Sequence, residues 1–159
     1  MIRITSFVAL MALSASAPTW AQDPEAVVVA QPAAEDWHRF SGSASTSYFV
    51  EVTEIPAPGA AEVTVRMARV PTDGDADDLS HSIERIAFRC AAGEMKIGET
   101  VEYGADGAEA DRYDDGLSWE DVPPDSVMAY LKPFACDNMR STATTYPSIQ
   151  AFIEGGRGG

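Results

Sequence analysis

Between about residues 48 and 113, several runs alternate apolar and polar residues with a period of two. In "YFVEV" Tyr48, Val50 and Val52 share one side. "EVTVRMARV" places Val63, Val65 and Met67 on one side and Thr64, Arg66 and Ala68 on the other. Ile86, Phe88 and Cys90 share a side of "IERIAFRC", and "GEMKIGETVEYG" sets Met95, Ile97, Val101 and Tyr103 against Lys96, Thr100 and Glu102. Such alternation predicts half-buried antiparallel strands. "WHRFSGSASTSYFVEVTEI" adds a pair of strands around a small-residue turn, and "PAPG" at 56–59 is a turn. Asp106-Gly107 signals a hairpin returning through a shorter strand near 108–113.

The period changes after Trp119. Pro123-Pro124 cannot donate ladder hydrogen bonds, so the sheet is expected to stop there. Asp125 or Ser126 can cap a helix whose apolar side is Val127, Met128, Tyr130 and Leu131, with Pro133 ending it. So short a helix is marginal alone and needs the sheet beneath it. Trp119 is expected to anchor the core at the sheet–helix junction. "YPSIQAFIE" allows one or two further helical turns with Pro147 at the first position. "GGRGG" reads as a disordered tail. The prediction is an α+β fold: a small antiparallel sheet of about five to six strands, with a short C-terminal helix packed on it and one disulfide.

The N-terminal stretch "MIRITSFVALMALSASAPTWAQ" has one charge, Arg3, then an apolar run and small residues. This is the pattern of a secretory leader over 1–21, with cleavage expected after Ala21. The apolar run is shorter than the roughly 20 residues that span a bilayer. No cysteine follows it, so no lipid attachment site is expected. Residues 22–36 read as a flexible Ala/Pro-rich linker, 37–136 as the domain and 137–159 as a C-terminal extension. The chain carries 25 Asp and Glu against 11 Lys and Arg, for a net charge of −14. That balance repels nucleic acid and anionic membrane. The expected location is the periplasm or the medium, with no membrane insertion after cleavage. The two cysteines predict one disulfide, Cys90 to Cys136, in an exported chain; the alternative is two free thiols.

Candidate chemistry is sparse. In "DGDADDLSHSIE", Asp73, Asp75 and Asp77 fall on positions one, three and five of a calcium loop, and Glu84 on position twelve. Position six, where the sharp turn takes glycine, holds Asp78, and the flanks alternate like strands. The plainer reading is a solvated acidic hairpin loop. The only histidines, His38 and His81, lack ligand spacing, and no nucleophile elbow is present. The three acids of "DRYDDG" belong to a turn. The expectation is a protein that is not an enzyme and takes no cofactor.

The ordered features resemble a known family. Trp37, "YFVEV" at 48–52, a strand ending "RIAFRC", and "W…PPDSVMAYLKPFAC" at 119–136 follow the pattern of the surface-adhesin protein E family of proteobacteria. The resemblance covers about residues 37 to 136 and implies a small antiparallel sheet, a helix packed on it and a disulfide between them. Cys90, Cys136 and Trp119 carry over as structural positions, with Trp37, Pro124 and Ser126 completing the pattern. Better-known members are outer-membrane lipoproteins that bind host matrix and serum proteins. This chain departs from them in lacking a lipidation cysteine and in its negative charge. The expected function is binding of a protein partner, not yet identified, through the open sheet face or the loops at 72–81 and 104–116. A homodimer is a further expectation from the strand edges. The alternative is a periplasmic small-ligand or calcium binder using the acidic loop 73–84.

Overall fold

The computed structural model describes residues 34–114 and 116–157. The expected leader and nearly all of the linker lie outside them. One antiparallel sheet is built from β1 (Trp37–Gly42), β2 (Thr46–Glu51), β3 (Val63–Pro71), β4 (His81–Arg89), β5 (Glu94–Tyr103), β6 (Glu109–Asp114), β7 (Glu120–Asp121) and β8 (Thr145–Tyr146). The order is β6-β5-β4-β3-β2-β1-β8, with β7 pairing on β5. The sheet has eight strands, not five or six. The additions, β7 and β8, are two residues each, too short to show a period in sequence. Consecutive long strands are neighbours throughout, as short turns dictate. The β5–β6 turn uses Gly107 at φ 75, where a side chain would be strained.

Helix α1 (Val127–Cys136) packs across β1, β3 and β4. Its Leu131, Phe134 and Ala135 join Val50, Val63, Val65, Met67, Ile86 and Phe88 in the larger core cluster. Fully burying each large apolar side chain contributes about 1.5–3 kcal/mol. Ser126 caps the helix: its Oγ accepts from the Ala129 N–H at 3.1 Å and donates to the Pro123 carbonyl at 2.6 Å. Pro124 is exposed in the turn before it, and Asp125 takes a left-handed φ of 58, which Asp tolerates. Pro133 does not end the helix. It forfeits one backbone bond, yet Phe134 and Ala135 beyond it are buried. The last turn is also held by the disulfide between Cys90, next after β4, and Cys136, whose Cα atoms are 5.6 Å apart.

The residues beyond Cys136 are part of the same fold. β8 pairs with β1, and α2 (Ile149–Glu154) lays Ile149, Phe152 and Ile153 on Trp37, Phe49, Ala68 and Val70. Ser148 is the N-cap of α2, which moves Pro147 outside the helix. Arg157 in the expected disordered tail is instead 5 % exposed. Its guanidinium donates to the Pro71 carbonyl at 2.8 Å and to the Asp78 carbonyl. The Arg finds two carbonyls that the acidic loop leaves free, and a buried guanidinium needs such partners.

A bulge overturns one expected face. Between Glu84 and Ile86 on β4, β5 advances from Thr100 to Ile97, one residue more than its partner. The extra residue flips the side-chain parity of β5. Met95 and Ile97 therefore face α1, whereas Val101 pairs with Ile83 on the opposite face.

Candidate binding face

The two helices cover opposite faces of the sheet at opposite ends. Along β3, Val63, Val65 and Met67 lie under α1, while Ala68 and Val70 point the other way, under α2. Each face therefore keeps one uncovered end. Cross-strand partners share a face. On the α2 face the register therefore aligns Thr64 with Ala87, Arg66 with Arg85, Ala87 with Lys96, and Val101 with Arg112. This uncovered end holds a shallow pocket of about 410 Å³ lined by Arg85 and Lys96, by the carboxylates of Glu62, Glu99 and Asp114, and by Thr64, Ala87 and Gly98. A second, about 110 Å³, runs between Arg66, Arg85, Glu99 and Arg112. Gly98 lies at the bulge, where a Cβ would make an ordinary van der Waals contact with the Arg85 carbonyl at 3.4 Å.

Five of the chain's 11 Lys and Arg gather here: Arg66, Arg85, Arg89, Lys96 and Arg112. They are not equally engaged. Arg66 pairs with Glu35 at 2.8 Å, Glu54 at 3.6 Å and Glu51 at 3.7 Å, and its guanidinium lies over the Trp37 ring at 5.3 Å. Burial alone would lower its pKa, but the Glu35 hydrogen bond and the three carboxylates raise it. Arg112 is held by Glu109 at 2.7 Å and Glu99 at 2.9 Å, and these bonds raise its pKa further. Arg85 has one contact, at 3.4 Å to Glu99, and its side chain is 56 % exposed. Lys96 has no ion pair among the described residues. Its Nζ lies over the Trp119 ring at 5.0 Å, and the Arg89 guanidinium lies over the same ring at 4.0 Å. The cations able to exchange partners are thus Arg85, Arg89 and Lys96.

Trp119 is half-buried and belongs to neither core cluster. The expected core anchor is instead a ring at the sheet surface beneath two cations, because β7 pairs it beside β5 rather than under α1. Of the two described tryptophans, Trp37 is the one in the core: it is fully buried, with Nε1 donating to Glu35 at 2.7 Å.

The alternative calcium set, Asp73, Asp75, Asp77 and Glu84, does not converge. Glu84 lies on β4 and accepts from Arg69 at 3.0 Å. Among the described residues no group of three or more His, Cys, Asp or Glu could hold a metal. The acidic loop instead meets Arg157; hydrogen bonds from the Ser80 hydroxyl and N–H, with a smaller part from the Arg157 charge, hold the Asp78 carboxyl below its ordinary pKa.

The histidines have structural partners. The Ser141 N–H donates to His38 Nδ1 at 2.9 Å, so Nε2 carries the proton and donates to Asp36 at 3.1 Å. His81 donates from Nδ1 to the Leu79 carbonyl at 2.7 Å and stacks on Tyr103, centroids 4.4 Å apart. Burial lowers its pKa below 6.5.

Sequence reasoning missed Glu51. Only 1 % exposed, it accepts from Thr53 N–H (2.9 Å), Thr53 Oγ1 (2.6 Å), Asp36 N–H (3.2 Å) and Glu54 N–H (3.3 Å). The visible signal was an acid on the parity of a buried phenylalanine, Phe49. Compared with known proteins, the chain matches no family model, no curated protein and no solved structure.

Proposed function

We propose that this chain is an exported binding protein of surface-adhesin protein E type, non-enzymatic, that holds an acidic protein partner on the uncovered end of its α2 face. The observation that carries this reading is the gathering of five cations on one open sheet end in a chain of net charge −14. Random placement on so acidic a chain would surround each cation with carboxylates. Lys96 instead makes no ion pair, and Arg85 and Arg89 make one each among the described residues, while Glu62, Glu99 and Asp114 line the pocket that Arg85 and Lys96 share. Arginine and tryptophan are the residues that dominate protein interfaces. A carboxylate arriving at this face meets donors without first displacing a strong internal pair. Its approach still crosses the field of an acidic protein, so binding through this patch depends on short range and on shape. The leader-like N-terminus and the disulfide support export. A homodimer has less support, because the outer strand β6 carries Glu109, Asp111, Arg112 and Asp114, charges that oppose edge pairing.

Protease treatment of intact host cells, with the culture medium assayed alongside, tests the reading. Digestion on whole cells, or protein in the medium, is expected. Protection until the outer membrane is broken would overturn the surface-adhesin role and move the partner into the periplasm.

A further inference from the structure

Arg157 is seated between the end of β3 and the acidic loop that follows it. Its Nη1 donates to the Pro71 carbonyl at 2.8 Å and its Nη2 to the Asp78 carbonyl. Gly74, at φ 131, lies against the guanidinium: a Cβ there would come within 3.3 Å of Cζ and Nη2 and 3.5 Å of the Asp78 carboxylate. That carboxylate is itself fixed by the Ser80 N–H at 3.0 Å. We propose that this crevice is a binding site for an arginine side chain, which Arg157 fills as a tethered ligand and which an arginine of a basic peptide partner can take in its place. The inference stands apart from the acidic-partner reading, since it uses other residues and a ligand of the opposite charge.

The crevice selects a guanidinium over other cations. Its two carbonyls accept from two different nitrogens of one planar group, a fork that arginine supplies and an ammonium does not. The chain's own arginine fits it imperfectly. Arg157 Nε is buried with no hydrogen-bond partner among the described residues, which costs free energy for a donor taken out of water. The Arg157 backbone takes a left-handed φ of 51, which disfavours any residue but glycine. An arginine arriving on a separate chain is free of that backbone requirement. Little else holds the tail. Past α2 its backbone bonds are Gly156 N–H to the Ile153 carbonyl at 2.9 Å and Arg157 N–H to the Phe152 carbonyl at 3.4 Å. Arg157 can therefore lift while Phe152 and Ile153 stay in the core. Asp77 and Glu154, with Ala76 and Leu79, line a shallow depression of about 420 Å³. Those two carboxylates, in a chain of net charge −14, favour the approach of a basic peptide. A tethered ligand acts at an effective concentration on the order of millimolar, so the seated tail keeps weak cations out.

The test titrates the isotope-labelled full chain, wild type and Arg157→Ala, with methylguanidinium, methylammonium and the end-capped peptide GGRGG, read by backbone amide shifts. In Arg157→Ala, saturable shifts centred on residues 72–79 are expected with methylguanidinium and with the peptide in the millimolar range, and none with methylammonium. The wild type, its site filled, is expected to bind both at least about tenfold more weakly. Arg157→Lys, which keeps a charged stem without the fork, is expected to fall between them. Gly74→Ala added to Arg157→Ala, which puts a methyl group where the guanidinium lies, is expected to abolish the shifts. The amide spectrum itself reports whether each variant is folded. Absence of saturable shifts in both Arg157 variants, shifts as strong with methylammonium, no response to the peptide, or equal affinity in wild type and Arg157→Ala would each overturn the proposal.

Discussion

The Glu51 carboxylate lies 3.7 Å from the Arg66 guanidinium and joins the segment before β1 to the middle of the sheet. Its other partners are the Thr53 hydroxyl and the N–H groups of Thr53, Glu54 and Asp36. Replacing the side chain leaves several donors unsatisfied around a position only 1 % exposed. Glu51→Ala is expected to cost about 2–4 kcal/mol in urea unfolding. A loss below about 0.5 kcal/mol, the ordinary scatter of surface changes, would contradict this account.

Acid should destabilise the protein in two stages. Burial alone would raise the Glu51 pKa, but its hydrogen bonds hold it below 4.5; Asp36 is likewise held below 3.8, chiefly by His38. The unfolded chain therefore takes up these protons first as pH falls. The stability they contribute is present above their unfolded values and is lost as pH drops through the folded ones. His81 acts higher. Burial lowers its pKa from 6.5, so the unfolded state binds its proton more readily, and stability begins to fall below that pH. Melting midpoints measured from pH 8 downward should decline first just below about 6.5. His81→Gln should remove that first decline and keep the second. A midpoint unchanged until the carboxylates titrate would contradict the His81 assignment.

The disulfide closes a separation of 46 residues and fixes the end of α1 against β4. Cys90→Ser is expected to lower stability by roughly 2–5 kcal/mol. Chemical reduction of the wild-type chain should move the melting midpoint in the same direction. Equal midpoints before and after complete reduction would count against that role.

Arg157 supplies the acidic loop with a cation from the chain itself. Arg157→Ala is expected to speed amide exchange in residues 74–79, where the guanidinium meets the loop, and to leave β3 and β4 protected. Calcium titrated into the wild type is expected to give no binding heat at millimolar concentration. Saturable heat lost on Asp75→Asn would restore the calcium reading.

β3 and β4 were legible because alternate residues of each are buried together in one cluster. Val63, Val65 and Met67 announce β3 by period alone. The Cys90–Cys136 pairing followed from a count of two, and the Ser126 cap from its place before an apolar run. What escaped depends on contacts across the chain. Val101 cannot be placed from β5 alone, because the bulge that turns it over is defined by its register with β4. Helix α2 has six residues, and its burial rests on Trp37 and Phe49, a hundred or more positions upstream. Trp119 looked like core because tryptophan usually is; its surroundings, Arg89 and Lys96, belong to the sheet surface. The open cationic end was hidden for the same reason: its members come from β3, β4, β5 and β6 and meet only through register.

The most direct test of the central claim compares wild-type chain with the Arg85→Glu/Lys96→Glu variant against immobilised matrix, serum and envelope proteins, at low and at physiological salt. The account predicts at least one acidic partner that the wild type binds, that the variant binds at least about tenfold more weakly, and that salt weakens. A partner bound equally by both chains, or by neither, would contradict a binding role for this face.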